Sequence, residues 1–326
     1  MADKDAAWAP DILGGAFEYR HIAHPDDYDG TVRSTLVRRL PQPKPAKAVL
    51  YVHGFSDYFF QSEMAERFVE AGYGFYAVDL RKYGRSLLPG QTMFRVRDIH
   101  EYFPDIDSAI DLIKAEGIDS IVLLGHSTGG LTSALYMASN PAPEIRALVL
   151  NSPFLDWNLP PLQKAAVPLL SAIGRFFPGL TVRQKPDRGY AETLHRELGG
   201  EWDYRRDWKP DVLPDVDAGW VRAIDRAQRE LRRGHIRVPV LLLHSDESVR
   251  PGEPKEKYGR ADAILDVESI GRYGRELGDE VTEVTVNGGL HDLVLSARPV
   301  RERVYTDILR WLAALPQSPS PTASQR

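Results

Sequence analysis

The sequence predicts an α/β fold: a mostly parallel central sheet flanked by helices, with a largely helical cap inserted late in the chain. Three observations predict it. Short apolar runs, of which Ala48-Val-Leu-Tyr-Val52 is the clearest, alternate with segments of helical period, as strands buried on both faces alternate with crossover helices in a parallel sheet. The rhythm stops after Asn151 and resumes at Val240. The chain of 326 residues, 43% hydrophobic and 27% charged, can bury the core of one large domain that carries an insert.

The first elements are two segments, Phe17 to Ile22 and Val32 to Arg39, that alternate apolar and polar residues around the turn Pro25-Asp-Asp-Tyr-Asp-Gly30. They read as an antiparallel pair of half-buried strands. The Pro-rich connector Pro41 to Pro45 leads into the buried run at Ala48 to Val52. Helix is then expected over 62–71, strand over Gly74 to Asp79, helix over 105–116, strand over Ser120 to Leu124, helix over 128–139 and strand over Ala147 to Leu150. Residues 1–153 would thus form the first part of the core. A stretch rich in Pro, Trp and Arg follows, with helical patches near 161–176 and 218–233, so 154–235 is expected to form the cap. Strand Val240 to Leu243, a charged loop, helix near 267–277, strand near 281–286 and helix near 298–314 complete the core over 236–315. The Ser/Pro/Gln-rich end, 316–326, reads as a frayed, flexible tail.

Composition excludes several functions. A net charge of −5 and a sequence pI near 6.0 give no global attraction for nucleic acid or an anionic membrane. With no cysteine there is no disulfide framework, thiolate nucleophile or Cys-based metal site. Met1 to Pro10 is acidic and alanine-rich, without the basic start and apolar run of a secretory signal, so a cytoplasmic protein is expected. The longest apolar candidate, Ala165 to Ile173, is far shorter than a membrane span and contains Pro168.

The chemistry is concentrated in Gly125-His126-Ser127-Thr128-Gly129, between the strand at 120–124 and the helix at 128–139. A G-x-S-x-G arises by chance in a chain of this length on the order of one time in ten, given the usual glycine content; its strand-to-helix setting makes it specific. Glycine is needed at both ends because the serine sits on a strained turn where larger side chains would meet the neighbouring strand and helix. Ser127 is the candidate nucleophile, and the start of the following helix offers N–H groups to an oxyanion. Val52-His53-Gly54-Phe55 ends the earlier strand in a turn that can aim a second N–H at the same point. Phe55 and Thr128 are the candidate oxyanion donors.

A general base must arrive from a late loop. Asn287-Gly-Gly-Leu-His291-Asp292 supplies His291 between the last strand and the last helix, after the serine in chain order. His126, beside Ser127, is expected to point elsewhere, and His53 to organise its loop. Two positions compete for the acid. Asp246 follows the strand at 240–243 directly, while Asp262 lies behind a polar run, Arg250 to Arg260, close to the next helix. Asp266 is better explained as the N-cap of that helix.

Together these residues resemble the α/β-hydrolase fold superfamily, in particular the serine-hydrolase branch of monoacylglycerol lipases, lysophospholipases and serine aminopeptidase-like hydrolases. Besides the elbow, the resemblance rests on His53-Gly54, on Asp79-Leu-Arg81-Lys82-Tyr83-Gly84-Arg85-Ser86 and on the Gly-Gly-Leu-His291-Asp292 block, and it covers most of the chain outside the insert. Lys82 replaces a glycine of the usual D-x-R-G-x-G-x-S turn. Asp262-Ala-Ile-Leu looks like the D-x-I-V segment that the family places at its acid, which favours Asp262 with Asp246 as the alternative. The resemblance implies no cofactor and no metal. It implies a serine hydrolase whose substrate is a small-molecule ester with an apolar acyl part, for which Phe154, Leu155, Trp157, Leu159, Leu162, Phe176 and Phe177 could line a pocket. An amidase, a peptidase or a C–C bond hydrolase would use the same triad, and a ligand-binding protein could use the same fold.

Overall fold

The structure is a computed structural model that describes residues 7–140, 142–184, 187–250 and 253–316; most of the expected tail lies outside them. The sheet opens with an antiparallel meander, β1 (Ala9–Pro10), β2 (Glu18–Asp27) and β3 (Gly30–Arg39). It continues through β4 (Lys47–Val52), helix α1 (Ser62–Glu70), β5 (Gly74–Asp79), α2 (Phe103–Ala115), β6 (Ser120–His126), α3 (Thr128–Ser139) and β7 (Ile145–Asn151). After an excursion containing α4 (Pro161–Gly174), β8 (Thr181–Val182), α5 (Gly189–Leu194), β9 (Val216–Asp217) and α6 (Ala218–Leu231), the chain returns to the sheet. It finishes with β10 (Val240–Ser245), α7 (Val267–Gly274), β11 (Val281–Val286) and α8 (Arg298–Ala314).

The nine strands of the main sheet run in the order β1-β2-β3-β5-β4-β6-β7-β10-β11, and all pairs from β5 to β11 are parallel. Strands β4, β6 and β10 lie in its interior, which is why their sequences are continuous apolar runs: Val49, Leu50, Leu123, Leu241 and Leu242 are all fully buried. Each such side chain contributes roughly 1.5–3 kcal/mol through its burial. Register carries the geometry upward. Val52 pairs with Gly125, and Gly125 with Leu150, so the carboxyl ends of β4, β6 and β7 stop at one level and their following loops converge there.

The excursion joins β7 to β10. Helices α4 and α6 pack on each other, and Gly174 sits so close to Ala218 that a Cβ would fall 2.1 Å from the Ala218 carbonyl oxygen. Pro168 lies inside α4. The short elements β8, β9 and α5 have no counterpart in the sequence reading. Among the described residues, no helix is long and apolar enough to cross a membrane.

Candidate active site

Ser127 stands between β6 and α3 with φ 53° and ψ −117°, a left-handed conformation that a residue with a side chain adopts only under constraint. The constraint is visible. Ser127 N–H donates to Asn151 O at 3.1 Å, and Ser127 O accepts from Leu131 and Phe154 N–H at 3.0 and 2.9 Å, so the turn is tied to its own helix and to the end of β7. The flanking glycines have no room for more. A Cβ on Gly125 would lie 2.6 Å from Gly129 O, and one on Gly129 would lie 2.2 Å from His53 O and 2.3 Å from Val52 O. Gly129→Ala is therefore expected to push α3 off the end of β4 and to cost about 3 kcal/mol of stability, measurable as a lowered urea midpoint. A midpoint equal to wild type would refute this contact.

The loop after β4 also comes close, since a Cβ on Gly54 would meet Ser127 Cβ at 3.0 Å. His53 is fully buried and organises this loop: its Nδ1–H donates to Gly54 O at 2.8 Å and its Nε2 accepts from Leu80 N–H at 3.1 Å. Phe55 and Thr128 flank Ser127 in the same cavity. Among the described residues, neither backbone N–H donates to a protein acceptor.

His291 reaches the serine from the turn after β11. Its ring is 4% exposed and bridges two partners, Ser127 Oγ at 2.9 Å from Nε2 and Asp262 Oδ2 at 2.9 Å from Nδ1. A carboxylate only accepts, so Nδ1 carries the proton and Nε2 accepts from the Ser127 hydroxyl. Asp262 is fully buried, and its other oxygen accepts the Ile264 and Leu265 N–H groups at 2.8 Å each. Asp246 is not part of this line. It is exposed, and its carboxylate accepts from Gly288 N–H at 2.9 Å, bracing the turn where Gly288 has φ 72°. The reason lies in the polar run between the two aspartates. Ser248 bridges Asp262, Val249 N–H donates to Asp262 O at 2.7 Å, and Asp262 N–H donates to Glu247 O at 2.9 Å, so the loop returns to the strand end it left. Asp266 caps α7 by accepting from Ser269 N–H at 3.2 Å.

One sequence expectation is overturned. His126 does not point away: it lines the same cavity, and its ring centroid lies 4.8 Å from that of His291. The reason is its Nδ1–H, which donates to Asn151 O at 3.1 Å and turns the other edge of the ring toward Asp57 and Asp292. Burial holds the His126 pKa below the ordinary 6.5; the Asp292 carboxylate opposes this, and His291 and Lys209 add to it. A depressed histidine stays neutral in the fold while the unfolded chain takes up its proton, so its contribution to stability is lost as pH falls below about 6.5. His24, also lowered chiefly by burial, acts in the same window. The expected slope from His126 is up to about 1.4 kcal/mol per pH unit. His126→Asn should therefore lose less melting temperature between pH 6.5 and 5.5 than wild type does, by about 2–4 °C; parallel curves would contradict it.

A second buried group was not legible in the sequence. Asp57, His126 and Asp292 place their ligand-type atoms within 4.8 Å of one another. Positive charge there comes from Lys209, whose Nζ donates to Asp57 Oδ1 at 3.0 Å. Burial opposes the Asp57 charge, but Lys209 outweighs it and holds the carboxyl below its ordinary range. Asp292 instead accepts from Asn151 Nδ2 at 2.7 Å and Gln61 Nε2 at 3.1 Å. These residues come from segments far apart in the chain, and no local pattern announces them.

Residues 43–295 match the model of the family described as serine aminopeptidase, S33. The chain belongs to that family. A monoacylglycerol lipase of Mycolicibacterium smegmatis is 25% identical over 280 residues, 84% of this S33 chain and 90% of that protein. A soluble variant of the monoglyceride lipase of Saccharomyces cerevisiae, solved with a substrate analog, has a TM-score of 0.63 at 17% identity, covering 89% and 94% of the two chains. The Paleococcus ferrophilus monoacylglycerol lipase has a TM-score of 0.60 at 24% identity, covering 87% and 98%. The two structures share the α/β-hydrolase fold with this S33 member.

Ser127 and His291 line one cavity. Residues of the excursion line it, among them Phe154, Trp157 and Leu159, whereas Leu155 is buried elsewhere and Leu162, Phe176 and Phe177 are exposed. Tyr204 and Lys209 also line it, with Asp57 and His126. In the neighbouring segment the aromatics are packed down, with Trp202 Nε1–H on Leu295 O at 2.8 Å and Trp208 edge-on to Tyr58 at 5.1 Å, while Arg205 and Arg206 stay at the surface.

Proposed function

We propose that this S33 member is a serine esterase that cleaves carboxylic esters through an acyl-enzyme, with Ser127 as nucleophile, His291 as general base and acid, and Asp262 orienting the imidazole. The observation that carries the proposal is the continuous line from Asp262 through His291 to Ser127 Oγ, with 2.9 Å at each link. The serine hydroxyl passes its proton to Nε2 as it attacks the ester carbonyl; Asp262 steadies the imidazolium, and His291 then returns the proton to the departing alcohol. The free N–H groups of Phe55 and Thr128 are the donors for the oxyanion. Residues 154–235 act as the cap, and the substrate is a small ester whose apolar acyl part fills the cavity beneath it. The monoacylglycerol lipase activity named for the Mycolicibacterium relative favours an ester over an amide. The protein should hydrolyse short 4-nitrophenyl esters and incorporate a fluorophosphonate at Ser127. Labelling without turnover on any ester would move the reading to an amide or a C–C bond, and neither labelling nor turnover would point to a binding protein.

A further inference from the structure

His291 takes part in both halves of the reaction proposed above, so the placement of its ring governs each. The turn that carries it is tied to the core through its neighbours. Asp292 accepts from Asn151 Nδ2 at 2.7 Å, Leu293 N–H donates to Asn151 Oδ1 at 3.2 Å, and Leu290 N–H donates to Ser296 Oγ at 2.9 Å. The peptide that joins His291 to Asp292 is tied instead to the excursion. Its N–H donates to the Tyr190 hydroxyl at 3.0 Å, and the Tyr190 ring stands edge-on to the His291 ring at 5.9 Å. Burial first, then the Asp292 carboxylate, pushes the Tyr190 hydroxyl well above its ordinary pKa, so it stays a neutral acceptor over the whole range in which an imidazole titrates.

Tyr190 belongs to α5, and a six-residue helix has little stability of its own. It is braced by the polar run that leads to Asp262. Gly189 packs so closely on the Tyr258 ring that a side chain there would clash, Tyr258 O–H donates to Asp187 Oδ2 at 3.0 Å, and Lys255 pairs with Glu192 at 3.1 Å. The loops that carry the base and the acid therefore both meet the excursion at this one short helix. Resting on the esterase reading above, we propose that Tyr190 is a positioning residue for His291: its hydroxyl fixes the peptide after the imidazole and so holds Nε2 on the line to Ser127 Oγ. The excursion then supplies part of the catalytic alignment as well as a wall of the cavity.

The test is Tyr190→Phe, which keeps the ring beside His291 and removes the oxygen. Trp202→Phe is the control, because it removes a second hydrogen bond from the excursion to the same turn, Trp202 Nε1–H on Leu295 O. With 4-nitrophenyl butyrate, Tyr190→Phe should lower kcat about tenfold and change KM by less than about twofold, since a displaced imidazole slows acylation and deacylation alike and leaves ground-state binding intact. The rate of fluorophosphonate incorporation at Ser127 should fall by a similar factor: that step needs the same base, and its leaving group is fluoride rather than an alcohol. The melting temperature should stay within about 4 °C of wild type, and Trp202→Phe should keep kcat within about threefold. A Tyr190→Phe kcat within twofold of wild type would overturn the proposal with the esterase reading intact. An unchanged labelling rate beside a tenfold loss of ester turnover would also overturn it, by placing the hydroxyl on the departing alcohol. An equal loss in Trp202→Phe would do the same, by showing that any slackening of the turn suffices. Wild type inert toward both the ester and the fluorophosphonate would instead overturn the esterase reading and this proposal with it.

Discussion

Ser127→Ala is expected to lower ester turnover by roughly 10⁴- to 10⁶-fold and to abolish fluorophosphonate labelling, while leaving the unfolding transition within about 1 kcal/mol of wild type. The fold should survive because the backbone ties of residue 127 run through its own N–H and carbonyl, to Asn151, Leu131 and Phe154, and alanine keeps all of them. The hydroxyl makes one side-chain bond, to His291 Nε2. Turnover within tenfold of wild type would remove Ser127 from the reaction. The paired measurements separate a lost nucleophile from a lost fold.

The second large effect is a contrast between two carboxylates. Asp262→Asn should lower kcat by about 10⁴-fold, because an amide offers His291 Nδ1 a donor as readily as an acceptor and no longer selects the tautomer that leaves Nε2 free to take the serine proton. Asp246→Asn should change kcat by less than about threefold, since an amide oxygen can still accept from Gly288 N–H at the exposed turn. Steady-state kinetics on both variants at one pH decide it, and the reverse pattern would transfer the role to Asp246.

The fold was legible where the chain must bury both faces of a strand. Ala48 to Val52 and Val240 to Leu243 announce interior strands by composition alone, and the switch to helical period after each gives the parallel sheet. The strands β8 and β9, two residues each, and the six-residue α5 have too few positions for any period to register. Of the site, Ser127 was legible because the elbow compresses its steric demands into five adjacent residues, and His291 because of its place in chain order. The acid could not be placed by counting residues from the strand or the helix. The return of the polar run to Glu247, Ser248 and Val249 is a tertiary fact, and it makes sequence distance from the strand irrelevant. The misplacement of His126 has a similar origin, since its orientation depends on the Asn151 carbonyl, 25 residues on.

The ion pair between Lys209 and Asp57 bears on how this architecture can be rearranged. Asp57 is 2% exposed and belongs to the core loop that also supplies Phe55, whereas Lys209 arrives from the excursion between β7 and β10. A core inherited without that excursion, or grafted onto one lacking a cation at this spot, would keep a buried carboxylate with its counter-ion removed, a defect worth about 3–5 kcal/mol. Replacing the excursion of this chain is therefore coupled to position 57. A chimaera would have to carry both partners together or replace the aspartate with a neutral residue, despite the separation of the two segments along the chain.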